Sequence, residues 1–428
     1  MASHAPPSSP RVLLGAFLLL AVAACGDEPR ITNVDVPSPA FATLPGSADA
    51  AALGRAIFFD QDLSLNANQS CASCHDPEWG FTGPIPTINE HGAVYEGSVS
   101  GMFGNRKPPS AAYATQSPIL YFARQGGGLW LGGNFWDGRA TGEHLGNPAA
   151  DQAQGPFLNP KEQALADAAC VVYFVSVSGY ADLFQTVWGD AISSVTFPAG
   201  AEATCRSGGS LSLSTTDRTA VLQAYDQIGL TIAAYEASPE VNQFSSKYDA
   251  YLRHQTALTQ MEKKGLSLFK GKGKCSRCHS INGRDPLFTD YSYDNLGVPA
   301  NPENPALLSE GFVDNGLGGF LQDDDEAGKV KVPTLRNVDK RVEGGTKAYM
   351  HNGAFRSLEQ VVHFYNTRDV LSTCDPSVSR DDWGISCWPA PEVEENVNDS
   401  ELGNLKLSPD DEAALVAFLK TLSDGWGG

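Results

Sequence analysis

Apolar residues return at helical spacing in a few well-marked stretches of this chain, and the strict alternation that marks strands is weak everywhere. Ser408, Pro409 and Asp411 supply a cap, a first-turn proline and the acid of a capping box, ahead of an apolar face of Leu415, Phe418 and Leu419. They predict a closing helix. Ser357 heads a second such helix, whose stripe is Leu358, Val361, Val362 and Tyr365. The stretches Gly54 to Phe59 and Gly265 to Phe269 are alike, which predicts one unit of short helix and loop used twice. Pro/Gly-rich segments at 80–86 and 299–305 read as irregular loops, and the acidic run at 323–326 as a solvated one. The expected fold class is mainly α, with long loops and little strand.

One apolar run differs in kind. Arg11 precedes the run from Val12 to Ala24, and small residues lead up to Cys25. The run is too short to span a bilayer and reads as an export signal over 1–24. It is either of lipoprotein type, with Cys25 as a lipid-anchored first mature residue, or an ordinary cleaved signal beside a cysteine. Both forms lead to the periplasm. After a linker at 25–44, the remaining length allows two domains with their own cores, expected at 45–222 and 223–428.

Charge narrows the partners. With 30 basic and 50 acidic residues the net charge is −20, which argues against nucleic acid and anionic lipid surfaces. Such a surface would steer a cationic redox protein, and it would equally keep an exported protein soluble.

The chemistry lies in the cysteines. Cys71-Ala72-Ser73-Cys74-His75 and Cys275-Ser276-Arg277-Cys278-His279 are two copies of Cys-x-x-Cys-His, in which both thiols can bond haem vinyl groups while the histidine binds iron. The chain therefore reads as carrying two covalently bound haem c groups in two cytochrome c-like domains. Structural zinc or a redox disulfide is the alternative; zinc would want a second Cys/His pair at short spacing. Setting aside Cys25 leaves Cys170, Cys205, Cys374 and Cys387, an even number suited to an oxidising compartment. The local pairs Cys170–Cys205 and Cys374–Cys387 are the simplest of three connectivities.

Beyond the two haem motifs, the chain carries Phe135-Trp136-Asp137-Gly138-Arg139-Ala140, Gln152 to Pro160, Val332 to Val338 and Tyr349-Met350-His351-Asn352-Gly353. In these it resembles the dihaem cytochrome c peroxidase/MauG family. The resemblance implies an N-terminal haem that reacts with hydrogen peroxide and a C-terminal haem that handles electrons. His75 and His279 would be the proximal ligands. Glu162 would move a proton on and off bound peroxide, Gln152 would orient it, and Pro156 would shape the pocket. Taken alone, Asn159-Pro160-Lys161-Glu162 also reads as an ordinary helix start. Trp136 would relay oxidising equivalents between the haems. Asp137 and Arg139 would pair with backbone or haem propionates. Trp130, Trp383 and Trp388 read as packing or surface aromatics.

Four positions carry alternatives. His91, 16 residues after His75, matches a histidine that blocks the first haem in many dihaem peroxidases, or is a solvated loop residue. Tyr365, 14 residues after His351, matches the second haem's axial position, where MauG-like members carry tyrosine; it would otherwise be core on its helix stripe. A phenolate there would favour oxidised iron, whereas Met350 or Met102 as thioether ligand would favour the reduced state. Met261 is the other methionine left once the leader is removed. His351 is expected to be a buried polar residue near the domain interface, and His144, His254 and His363 to be surface residues. Many family members bind calcium through an asparagine that is here Lys107; Thr346 matches another ligand position. Calcium is doubtful, since hard cations want oxygen ligands.

The expectation is a periplasmic, MauG-like dihaem oxidoreductase that reduces hydrogen peroxide and oxidises a protein substrate or a small electron-donor protein. Two alternatives are a detoxifying peroxidase fed by reduced cytochrome c and a non-catalytic dihaem electron carrier.

Overall fold

The computed structural model describes residues 47–124 and 128–427. The leader, Cys25 and the linker lie outside the described residues. Helices dominate. Among the described residues, strands form three two-stranded pairs: Tyr121–Ala123 with Leu129–Leu131, Tyr293–Asp294 with Val330–Lys331, both antiparallel, and Ser372–Thr373 parallel to Cys387–Trp388. Among the described residues no single helix is long and apolar enough to cross a membrane.

Two hydrophobic cores organise the chain, and each is built on one helix pair. In the first, the Ser47–Phe58 helix packs on the Thr215–Glu236 helix. In the second, the Gln260–Lys270 helix packs on the closing Pro409–Leu419 helix. Both crossings are made at a glycine. A Cβ on Gly54 would lie 2.1 Å from the Thr231 carbonyl oxygen and 2.9 Å from Tyr235 Cβ. On Gly265 it would lie 1.9 Å from the Ala414 carbonyl oxygen and 2.8 Å from Phe418 Cβ. The likeness of the two sequence stretches is thus a structural repeat.

The closing helix starts as its sequence dictates, with Ser408 and Asp411 forming a capping box and Pro409 in the first turn. Ser357 caps the Leu358–Thr367 helix by accepting from the Gln360 amide. Both local disulfides form, Cys170–Cys205 and Cys374–Cys387.

Two expectations need correction. The boundary at 222/223 would cut the Thr215–Glu236 helix, most of whose buried apolar residues belong to the first core, which runs on to Val241. The second core begins at Tyr248, so the division falls between those residues. No helix begins at Asn159 either. Asn159 ends the Pro148–Leu158 helix, and its side chain accepts from the Lys161 amide in a tight turn.

Polar contacts cross the seam between the cores. Arg336 makes a fully buried ion pair with Asp249 at 2.8 Å, and its guanidinium lies over the Phe244 and Tyr113 rings at 4.4 and 4.9 Å. The Tyr113 hydroxyl donates to Asp424 at 2.7 Å, which also accepts from Asn337.

Candidate active site

Each Cys-x-x-Cys-His motif folds as one 3-10 turn, Cys71–Ser73 and Cys275–Arg277. The histidine amide closes it on the first cysteine's carbonyl, at 3.0 Å for His75 and 2.9 Å for His279. The imidazoles then meet the same kind of partner. His75 Nδ1 lies 3.1 Å from the Phe81 carbonyl oxygen and His279 Nδ1 2.9 Å from that of Phe288. A carbonyl only accepts, so Nδ1 carries the hydrogen and Nε2 keeps its lone pair for iron. Phe81 and Phe288 both adopt left-handed backbone, φ 59° and 54°. Burial lowers both imidazole pKa values, that of His279 to about 4, so both rings are neutral and ligand-ready.

None of the four motif cysteines forms a disulfide. Burial pushes the Cys71 thiol well up, and those of Cys74 and Cys275 to about 12. Two free thiols with a neutral imidazole beside them form the donor set that haem attachment requires.

A cavity of about 730 Å³ opens over the first motif, a size suited to one cofactor. Its wall contains Cys71, Cys74, His75, Gln152, Pro156 and Glu162. Gln152 and Pro156 are four apart on the Pro148–Leu158 helix, hence on one face. Glu162 follows on the next turn, where its carbonyl accepts from the Ser98 amide at 2.6 Å. A Cβ on Gly97 would sit 2.7 Å from that carbonyl oxygen, so only glycine lets the two segments meet. Burial raises the Glu162 pKa above the usual carboxylate range, and Arg139 opposes the rise.

Trp136 is buried in the same wall, 8% exposed, and its Nε1 donates to the Lys107 carbonyl at 2.8 Å. Its ring meets His351 edge-on at 6.4 Å. His351 is buried as expected, with Nε2 3.8 Å from both Asp314 and Glu392. Asp137 pairs with Arg139 at 2.8 Å and with Arg106 at 2.6 Å; Arg106 reaches on to Asp314 at 2.6 Å. Arg139 lies 3.6 Å over the Phe135 ring. The Trp136 segment is therefore clamped from both sides by ion pairs, and Arg106, to which the sequence reading gave no role of its own, is the residue that joins them.

Tyr365 lies on the Leu358–Thr367 helix and packs against the second core. Burial, then the nearby Cys278 and Cys275 thiols, raise its pKa, so its phenol faces the second motif. Met350 lines the first cavity and packs against the second core, in left-handed backbone, φ 67°. Met261 is 46% exposed on the Gln260–Lys270 helix. Met102 is half-buried in a turn and does not line the cavity.

His91 is not brought to the first motif. Its side chain is 65% exposed and Nδ1 lies 3.0 Å from Glu303, while its carbonyl accepts from Arg380 at 2.6 Å and Asn301 at 3.1 Å. These bonds tie the segment to the second half of the chain. His144 and His254 are exposed. His363 is not a surface residue: it is half-buried, with Nδ1 3.1 Å from Glu412 and Nε2 3.0 Å from the Gly384 carbonyl. Trp383 and Trp388 are buried packing residues, and Trp130 faces Phe122 across its strand pair at 5.4 Å.

The donors at Lys107 do not suit calcium. Lys107 is buried, and its Nζ donates to Thr82 Oγ1 at 2.9 Å and the Pro108 carbonyl at 3.0 Å, with a pKa pushed down by burial to about 8. Thr346 Oγ1 donates to Glu90. Nearby, Lys347 Nζ donates to the carbonyls of Trp79, Asn337 and Lys340 at 2.8–3.0 Å. Ammonium groups occupy oxygen-lined positions that a divalent cation would need.

Comparison with known proteins follows this geometry. Residues 48–257 match the family model for dihaem cytochrome c peroxidase. MauG, the methylamine utilization protein of Paracoccus denitrificans, is 33% identical over 395 residues, covering 89% of this chain and 90% of that protein. The chain belongs to the dihaem cytochrome c peroxidase/MauG family. Cytochrome c551 peroxidase of Nitrosomonas europaea is 29% identical over 82% of this chain and 83% of its own length. The crystal structure of the dihaem peroxidase BthA from Burkholderia thailandensis superposes with a TM-score of 0.67 at 30% identity, covering 88% of this chain and 86% of that one. The chain is accordingly a dihaem peroxidase-type oxidoreductase, and family membership implies haem c as cofactor.

Proposed function

We propose that this family member is MauG-like: it reduces hydrogen peroxide at a haem held by Cys71, Cys74 and His75. It then passes the oxidising equivalents to a second haem held by Cys275, Cys278, His279 and Tyr365. Each core would carry one haem, covalently attached, as a cytochrome c-like unit. The observation that carries the reading is the convergence of Glu162, Gln152, Pro156 and Trp136 with the first haem motif in one cavity wall.

Haem iron supplies the redox chemistry when bound. The chain's residues divide the remaining work. Glu162 accepts a proton from peroxide and returns it to the departing oxygen, and its raised pKa suits both directions of transfer. Gln152 offers an amide to hold peroxide or water in line. Pro156, four places along the same face, keeps that wall rigid. Trp136, fixed by its bond to the Lys107 carbonyl and by His351, would serve as a relay between the two cores.

Three observations favour this reading over a peroxidase that must first be reduced. Tyr365, a hard oxygen donor, lies close to the thiols of the second motif, whereas Met261 is exposed on its helix and Met102 is half-buried in a first-half turn. His91 is held in solvent by Glu303, away from the first motif. The substrate would be a protein side chain or a small electron-donor protein, oxidised at a distance from peroxide. The work would take place in the periplasm, a site supported by the export-type leader and the two disulfides. A lipid anchor at Cys25 belongs to the same proposal.

The test is Glu162→Gln in haem-loaded enzyme. The peroxide reaction is expected to slow by roughly 10²–10⁴-fold while the resting spectrum stays as in the unaltered protein. An unchanged rate would contradict the role of Glu162.

A further inference from the structure

Glu236 lines the same cavity, yet nothing in the peroxide chemistry uses it. It ends the Thr215–Glu236 helix, is 4% exposed, and its Oε2 has no hydrogen-bond partner. A buried carboxyl normally finds a partner or an opposite charge. Here the neighbouring groups supply neither. The Cys71 thiol faces it, Glu162 stands in the wall of the same cavity, and Tyr235 beside it donates to Glu240, which Arg55 of the first helix already neutralises. Burial alone pushes its pKa up to about 8, with no cation to offset it.

The structural repeat says what the fold requires at this position. Gly54 meets Thr231 and Tyr235 as Gly265 meets Ala414 and Phe418, so the residue after Tyr235 corresponds to the residue after Phe418. That residue is Leu419, 7% exposed in the second core. The helix crossing is therefore satisfied by leucine, and the carboxyl in the first half is not there for packing.

We propose that Glu236 is a redox-linked proton site of the first haem. It keeps its proton while the iron is reduced; when the iron gives up one electron, Glu236 releases that proton to solvent, and reduction reverses both. One positive charge is thereby offset beside the Cys71 attachment, in a cavity whose wall also holds Glu162 and the buried amines of Lys107 and Lys331. This inference rests on the reading of His75 as a haem ligand.

The experiment is a spectroelectrochemical titration of the haem-loaded protein, without peroxide, from about pH 6 to about pH 9. In the unaltered protein the equilibrium for the first haem is expected to change tenfold per pH unit, about 59 mV. In Glu236→Gln and Glu236→Leu the slope should vanish, with the second haem's potential unchanged. A slope that survives in Glu236→Gln, or no slope in the unaltered protein, would overturn the proposal. Glu236→Leu carries the residue of the sister position and Glu236→Gln keeps the shape, so one of them is expected to load haem. Haem content, read from absorbance beforehand, separates failure of the haem assignment from failure of this inference.

Discussion

Glu162 and Glu236 share a cavity but differ in their surroundings, and the difference is testable one residue at a time. If Glu162 acts as the proposed base, activity should be absent while it is protonated and rise with pH through its elevated pKa. The acid limb of the rate profile should therefore lie above the ordinary carboxylate range. Arg139 is the one charge that pulls this pKa down, so Arg139→Gln should move the limb to higher pH. A limb that stays in place would remove Arg139 from the site's electrostatics. Tyr365→Phe should change the spectrum of the oxidised second haem and leave the first untouched; an unaltered spectrum would exclude ligation. At this scale the sequence was most readable where chemistry demands fixed spacing, as in the two Cys-x-x-Cys-His motifs. It was least readable at Arg106 and Glu236, whose meaning comes from partners, or their absence, far along the chain.

The helix pairs set a different kind of constraint, since two backbones approach within the radius of a methyl group at Gly54 and Gly265. Gly265→Ala should destabilise the protein by about 1–3 kcal/mol or more, seen as a lower melting temperature and poorer haem loading, because the obstacle is a main-chain carbonyl. Gly179→Ala, where nothing lies within 4 Å, should be near neutral and serves as the control. Capping residues and apolar stripes announced the closing helix and the Leu358–Thr367 helix because those signals are local. The domain boundary was misplaced because a 22-residue helix with polar residues scattered along it conceals where one core ends. The turn at Asn159 was ambiguous for a related reason: proline and asparagine serve helix starts and tight turns alike.

Across the whole molecule, charged contacts accompany a small apolar cluster of Leu120, Tyr293 and Leu317 where the two halves meet. Lys347 reaches across to the Trp79 carbonyl and Arg106 to Asp314, while Lys107 donates within the first half to Thr82 and the Pro108 carbonyl. Chelation with EGTA should accordingly leave both haem spectra and the peroxide reaction unchanged, and elemental analysis should find no stoichiometric calcium; loss of either spectrum on chelation would contradict this. The net charge of −20, by contrast, describes the surface and names no partner. The central claim is that the two haems share oxidising equivalents through the Trp136 region, and it is tested most directly by the visible and near-infrared spectrum of fully oxidised protein after one equivalent of hydrogen peroxide, without reductant. A long-lived change in both haems with a new near-infrared band is the predicted result. A protein that stays inert until one haem has been reduced would contradict the account and mark the chain as a gated cytochrome c peroxidase.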